Sequence, residues 1–360
     1  MGYSGGAVPG RAVRRPPGPH PDVRAARAHA SAQGLRSVAD GPATAPSGGA
    51  VRRAGDLVNP FAGRVAFITG AASGAGFGQA LVFGRAGARI VVADVREAAV
   101  EEAVDRLRAQ GIEAWGIPLD VTDRVAYAAA ADAAESHFGD PVTLLFNTAG
   151  VNGFGSAETL TFADYDWLLG VNLGGVVNGM VTFVPRMIEA GRGGHVASVA
   201  SVGGLEGGLM TAPYSAAKAG VISLMESYAK VLPRHGIGVT VLCPANIRSN
   251  IATSHDLRPG DGGDTGIRTD EQFVSALTEV HRHGMEPETL ALHLKHAMEA
   301  GELYAIPYPE VREDLERKFG SVLDAVPAVD PLAPGGGDAR TEALRQFRRV
   351  AAEGGGRSSK

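Results

Sequence analysis

Between residues 64 and 330 short apolar runs alternate with amphipathic stretches of 12 to 20 residues. That alternation is the signature of repeated βα units around a parallel sheet. The apolar runs predict seven strands: Val65 to Thr69, Arg89 to Ala93, Ala114 to Pro118, Thr143 to Phe146, His195 to Val199, Gly238 to Leu242 and Leu303 to Ile306. Helices fit between them, for example Glu97 to Gln110, Asp123 to Phe138, Phe162 to Ala190 and Tyr214 to Arg234. Right-handed crossovers would bring the loops that follow the strands to one edge of the sheet, where such sheets bind ligands.

Composition bounds this picture. The 360 residues exceed one average domain but suit one large α/β domain with tails, and the 44% apolar content can fill a sizeable core. A net charge of -5 gives no reason to expect nucleic acid. The single cysteine, Cys243, lies in an apolar run and reads as a buried strand residue, which leaves no disulfide framework and no cysteine zinc site. His281 and His283 lack neighbouring carboxylate or cysteine spacing and read as a solvated helix end rather than metal ligands. No uninterrupted apolar stretch reaches the roughly 18 to 20 residues that cross a bilayer. The expectation is a cytoplasmic enzyme with no membrane partner.

The two ends differ from the centre. Residues 1 to 60 hold eight Arg, three Asp, no Lys and no Glu, with many Gly and Pro, so the remainder of the chain is acidic. We read residues 1–58 as a disordered extension, or as sequence upstream of a natural start near Val51 or Val58. Residues 59–330 form the expected catalytic domain, and residues 331–360 a loose tail with a short helix at Arg340 to Ala351.

Chemistry collects at the strand ends. The first strand runs into Thr69-Gly70-Ala71-Ala72-Ser73-Gly74-Ala75-Gly76, a Gly-x-x-x-Gly-x-Gly turn before a helix. Glycines there let the backbone turn tightly and approach a pyrophosphate, which a helix N-terminus favours. Asp94, 24 residues after Gly70, can accept hydrogen bonds from ribose hydroxyls and would repel a 2′-phosphate, so NAD is expected over NADP. Arg96, two positions on, could attract such a phosphate, but reads first as a solvated first-turn residue. Asp120 and Val121 could meet the adenine, although Asp120 reads equally well as the N-cap of the next helix. Tyr214 and Lys218 stand four apart on a helix, with Ser201 thirteen residues upstream. Such a pair shares one helix face, and a nearby ammonium favours the phenolate of a group whose free pKa is about 10.

In their order, the runs Thr69 to Gly76, Asp120-Val121, Asn147-Thr148-Ala149-Gly150, Val171-Asn172, Ser201, Tyr214 to Lys218 and Pro244 to Ser249 resemble the short-chain dehydrogenase/reductase family in its single-domain Tyr-Lys form. The resemblance spans residues 60 to about 325. It implies a Rossmann-type, doubly wound parallel sheet of seven strands with helices on both faces. It also implies that Tyr214 is the acid/base, that Lys218 lowers its pKa and binds the nicotinamide ribose, that Ser201 holds the substrate oxygen, and that Asn172 supports a water-linked proton path to Lys218. Gly70, Ser73, Gly74, Gly76, Asp94, Asp120, Val121, Asn147, Ala149, Gly150, Ile247 and Ser249 would join Tyr214 and Lys218 in binding the cofactor. Ser198 competes with Ser201, but the family spacing to the tyrosine selects Ser201. Thr148 stands where Asn is commoner, and Ala245 where the family has Gly after Pro244, which opens the geometry of that loop to question.

By the same resemblance residues 250–285 cover the substrate. Ile251, Leu257, Ile267 and Phe273 could line an apolar pocket beneath the flexible, acidic run Gly260 to Asp264, or the segment could be an ordinary surface loop with one packed helix. The helices at Phe162 to Ala190 and Tyr214 to Arg234 would pair across subunits, giving a homodimer or homotetramer. The expected activity is NAD-dependent hydride transfer to or from a largely apolar secondary alcohol or ketone. The alternatives are an NADP-dependent carbonyl reductase and a catalytically silent nucleotide-binding regulator.

Overall fold

The computed structural model describes residues 59–260, 265–267, 271–328 and 337–354. The expectations for residues 1–58 and for most of the Gly260 to Asp264 run lie outside the described residues. In chain order the elements are β1 (Val65–Thr69), α1 (Gly74–Arg85), β2 (Arg89–Asp94), α2 (Glu97–Arg108), β3 (Ala114–Pro118), α3 (Arg124–Phe138), β4 (Val142–Asn147), α4 (Phe162–Leu169), α5 (Gly175–Ala190), β5 (Gly194–Val199), α6 (Ala212–Ala229), β6 (Ile237–Leu242), α7 (Glu271–Arg282), α8 (Pro287–Ala300), β7 (Tyr304–Ala305), α9 (Arg312–Asp324) and α10 (Gly337–Gly354). The seven strands form one sheet in the order β3-β2-β1-β4-β5-β6-β7, with every pair parallel.

Strand alternation divides the core into two layers. Ala66 and Ile68 of β1 pack with Phe77, Leu81 and Phe83 of α1, Leu107 of α2 and Leu290 of α8. Val65 and Phe67 face the other way, among Tyr127 of α3, Phe183 of α5 and Val221 of α6. All of β1 is buried, which explains why it reads as an unbroken apolar run. The chain leaves β1 toward β2 and β3 and then returns to β4 on β1's other side, so a crevice opens between the ends of β1 and β4.

Beyond shifts of one or two residues at other ends, boundaries differ from the sequence reading in four places, each for a local reason. The single helix predicted over 162–190 is interrupted by a π turn, Gly170–Gly174, that carries Asn172. Helix α6 begins at Ala212 because Pro213 is tolerated in a first turn, and the residues after Ala229 form a separate 3-10 turn, Leu232–His235, containing Pro233. Strand β7 keeps two residues, since a turn closed by Tyr308 N–H on the Ile306 carbonyl around Pro307 ends the pairing. Helix α10 runs beyond the short helix expected in the tail, and its described side chains are exposed. The span Phe162–Ala190 is long and apolar enough to cross a membrane, yet half of its most apolar window is buried inside the fold, as in a core helix.

Candidate active site

The crevice is a cleft of about 770 Å³ running from the β1–α1 turn to the β6 loop. At its base Thr69 ties the two central strands: its Oγ1 accepts from the amides of Thr148 (3.0 Å) and Ala149 (3.1 Å) and donates to the Phe146 carbonyl. Gly70 and Gly74 have φ of +66° and +51°, and a Cβ on Gly70 would lie 2.8 Å from the Ala149 Cα. A Cβ on Gly76 would lie 2.2 Å from the Gly70 carbonyl oxygen. The turn is therefore closed by backbone alone, and it presents the first amides of α1 to the cleft, a cradle that fits a pyrophosphate. Across the cleft Ser249 comes against Gly74, 3.2 Å from where a Cβ would stand.

Beyond the turn, Asp94 is buried at the end of β2. Its two oxygens accept from Arg96 Nε (3.0 Å) and Nη2 (3.1 Å), and Arg96 Nη2 also donates to Ser73 Oγ (2.9 Å). Arg96 is thus no solvated first-turn residue, contrary to the sequence reading. It bridges the glycine turn and the acidic strand end, and its guanidinium pKa is raised, first by the hydrogen bond to Asp94. Asp120 is exposed and folds onto the Thr122 amide and hydroxyl, while the N-cap of α3 is Asp123, which accepts from the amides of Val125 and Ala126. The capping alternative for Asp120 therefore falls. Val121 is buried against Gly175, with Asp120 beside it at the cleft wall.

The first two turns of α6 carry Tyr214 and Lys218 into the cleft. Lys218 is buried, donates to the Val199 carbonyl at 2.8 Å, and lies 5.6 Å from the Tyr214 ring centroid. Burial brings its ammonium down to about 8, against a smaller opposing effect of Cys243. Burial also raises the Tyr214 phenol, while a hydrogen bond with Ser201 pulls it down. The sequence reading has Lys218 depressing this phenol. Here desolvation is the largest influence on the phenol, and the ammonium donates to a backbone carbonyl. Ser201 caps a 3-10 turn, accepting from the Gly203 amide at 3.0 Å and facing the Pro244 carbonyl. Asn172 is fully buried; Nδ2 donates to the carbonyls of Val151 and Leu168 (2.9 Å each), and Oδ1 accepts from the Val151 amide at 3.2 Å. A Cβ on Gly150 would touch both Asn172 Oδ1 (2.9 Å) and Lys218 Nζ (3.4 Å), so these two side chains meet at that glycine.

Phe154, Trp167, Ile251 and Leu257 add large apolar side chains to the cleft lining. Phe273 packs on Phe154 with ring centroids 5.5 Å apart, and Ile267 lies against Gly153.

Comparison with known proteins agrees with this geometry. Residues 64–259 match the short chain dehydrogenase family. The chain belongs to that family. This dehydrogenase is 55% identical over 298 residues to the C alpha-dehydrogenase of Sphingobium sp. strain SYK-6, covering 82% of this chain and 97% of that protein. The crystal structure of LigD in its apo form, from the same strain, is 52% identical with a TM-score of 0.64, covering 75% of this chain and all of that one. A short chain dehydrogenase/reductase from Burkholderia phymatum, solved in complex with NAD, is 33% identical with a TM-score of 0.70, covering 76% of this chain and 99% of that one. The seven-stranded parallel Rossmann-like architecture is shared. The dehydrogenase is accordingly an oxidoreductase of the kind that acts on CH–OH groups.

Of the site residues expected from sequence, the cleft gathers Gly70, Ser73, Gly74, Gly76, Asp94, Asp120, Val121, Ala149, Gly150, Asn172, Ser201, Tyr214, Lys218, Ile247 and Ser249. Asn147 stands outside the lining: its buried side chain donates to Ser198 Oγ at 3.1 Å, which also consigns Ser198 to the strand interior. Thr148 donates to Gln79 Oε1 at 2.6 Å, and Ala245 packs against the core, so both departures from the family pattern are accommodated. The Ile247 carbonyl is engaged by His281 Nδ1 at 3.0 Å. His281 thus lines the cleft instead of ending a solvated helix, whereas His283 is exposed and meets Glu279. Cys243, directly after β6, is buried and free, and burial pushes its thiol up to about 12. Among the described residues no group of His, Cys, Asp or Glu could hold a metal. Arg96, Phe154, Trp167 and His281 carry no motif, and only the fold places them in the cleft.

Proposed function

We propose that this dehydrogenase oxidises a largely apolar secondary alcohol to its ketone, or runs the reverse, with NAD and with Tyr214 as the acid/base. The observation that carries the reading is the convergence of Ser201, Tyr214, Lys218 and Asn172 beside a backbone-closed glycine turn in one cleft. A silent nucleotide binder has no physical need for such a proton-transfer set. Gly70, Gly74 and Gly76 would admit the pyrophosphate, Asp94 the adenosine ribose, and Gly150 with Lys218 the nicotinamide end. Bound NAD would supply the acceptor for the hydride leaving the carbinol carbon.

The chain's own groups handle the proton. Tyr214 takes it from the alcohol oxygen in oxidation and returns it to the ketone oxygen in reduction. Ser201, within hydrogen-bond reach of the phenol, orients that oxygen and steadies charge on it. The charge of Lys218 favours the phenolate as it forms, and Asn172 fixes the loop on which Gly150 sits. Support for a carbinol substrate comes from the relative named C alpha-dehydrogenase, and for NAD from the relative solved with it. A second reading, NADP, is favoured by Arg96, whose guanidinium spans Asp94 and Ser73 where a 2′-phosphate would lie. A homo-oligomer is supported by Val177, Val181 and Ile188, an exposed apolar stripe along α5.

Purified protein incubated with NAD or NADP and a panel of alcohols, including cyclohexanol, 1-phenylethanol and a steroid alcohol, tests this reading. Reduced nicotinamide should form with NAD. Confirmed NAD binding with no turnover across the panel would favour a nucleotide-binding regulator.

A further inference from the structure

Asp164 lies at the third position of α4, is fully buried, and does not line the cleft. Its carboxylate makes more contacts than helix capping requires. Oδ2 accepts from the Thr161 amide (2.8 Å) and hydroxyl (3.1 Å), which completes a capping box. The same oxygen accepts from the Gly266 amide at 2.8 Å. Oδ1 serves the segment after β6 instead, taking the Thr265 hydroxyl at 2.8 Å and the Arg258 guanidinium in an ion pair. These partners are about one hundred residues away along the chain. Burial alone would raise this carboxyl, yet hydrogen bonds from Thr161, Gly266 and Thr265 hold it below the usual range, as a group committed to its charged form.

Around this carboxylate two loops run tightly against each other. The Asn152 amide donates to Ser254 Oγ at 2.7 Å. A Cβ on Gly155 would lie 2.8 Å from the Gly266 carbonyl oxygen, and one on Gly266 would lie 1.8 Å from that of Thr159. The loop after β4 supplies Phe154, and the segment after β6 supplies Ile251 and Leu257, apolar residues that line the same cleft.

We infer that Asp164 is a positioning residue for substrate, a buried anionic latch that clamps Arg258, Thr265 and Gly266 of the segment after β6 to the N-terminus of α4 and thereby sets the width of the alcohol pocket. It touches neither alcohol nor cofactor. Its effect belongs in alcohol KM rather than in cofactor affinity. The kinetic part rests on the alcohol dehydrogenase reading, whereas the latch itself does not.

The test compares Asp164→Asn and Arg258→Met with a control, Thr161→Ala, which weakens the helix cap but leaves the latch donors Arg258, Thr265 and Gly266 in place. Hydrogen–deuterium exchange at Gly266 and Ile267 reads the latch directly, with no turnover needed. Both latch variants should speed that exchange by about tenfold or more, a local opening that leaves the rest of the sheet protected. They should also raise the KM for 1-phenylethanol or cyclohexanol, whichever is turned over, by about fivefold or more with kcat less affected and NADH affinity unchanged. Thr161→Ala should lower Tm without either change. Unchanged exchange at Gly266 in both latch variants would overturn the inference, as would an equal rise in KM in Thr161→Ala. Should Asp164→Asn fail to fold, Arg258→Met decides the matter. Should no alcohol of the panel be turned over, the alcohol reading fails on its own and the latch still stands or falls on exchange.

Discussion

Replacing Asn172 by Ala separates a side chain that merely sits in a π turn from one that holds the cofactor loop. The amide makes three buried hydrogen bonds, two of them to the amide and carbonyl of Val151. Truncation strips both polar groups of Val151 of these partners at a buried position of the cleft wall. A buried backbone group left unsatisfied costs about 1–3 kcal/mol, so the pair together costs about 4 kcal/mol, a large share of the roughly 5–15 kcal/mol that stabilises a typical domain. Asn172→Asp should lie between wild type and Ala, because its carboxylate still accepts from Val151 and meets the Lys218 ammonium beside Gly150, but cannot donate to the Val151 and Leu168 carbonyls. Urea unfolding followed by circular dichroism, at constant m, measures both. Turnover should fall with stability, since Gly150 is one residue from Val151. A loss below about 1 kcal/mol for Asn172→Ala would refute the reasoning, because it would mean that the loop finds other partners or that water enters.

Three further outcomes follow from the same geometry. His195 is buried, its Nε2 faces Thr240 Oγ1 at 2.9 Å, and the Thr240 hydroxyl already donates to the Glu302 carbonyl, so the neutral Nε2–H tautomer fits and burial pushes the pKa down to about 4. The unfolded imidazole takes its proton at about 6.5, so stability is complete above that pH and falls by about 3 kcal/mol as pH drops toward 4; a His195→Gln variant without this slope in urea titrations is expected, and an unchanged slope would count against it. Asp94→Ala frees Arg96 and should raise the NADP-to-NAD ratio of kcat/KM by about tenfold or more, while Arg96→Ala should lower it; a ratio indifferent to both would exclude this pair from cofactor choice. Gly76→Ala drives a Cβ into the Gly70 carbonyl and should weaken NADH binding by about tenfold or more in calorimetry, with native affinity showing that the turn does not cradle the pyrophosphate.

The sheet was legible because β1 through β6 are largely apolar runs of five or six residues separated by amphipathic helices, and the inner parallel strands, buried on both faces, need that pattern. Helix ends were less legible. The π turn at Gly170–Gly174 depends on the tertiary bonds of Asn172 to Val151, which no local propensity encodes. The glycine turn, Ser201, Tyr214 and Lys218 could be read because each is tied to a strand end or a helix repeat. Arg96 was misread because its partner Ser73 is 23 positions away and meets it only when β1 and β2 lie side by side. Asp164 was passed over for the same reason, since its sequence context shows a capping box and conceals the contacts with Arg258, Thr265 and Gly266. The electrostatics of Tyr214 eluded the sequence as well: helical spacing sets Lys218 beside it, but only the folded chain shows the ammonium turned to the Val199 carbonyl.

The most direct test of the central claim is the ratio of kcat/KM between Tyr214→Phe and the wild type, measured with NAD and the best alcohol of the panel alongside NADH affinity. Removing the hydroxyl should cut kcat/KM by about 10²–10⁴ with NADH affinity unchanged, as expected for a group that moves the proton. Turnover within a few-fold of wild type at equal NADH affinity would contradict the assignment of Tyr214 as the acid/base.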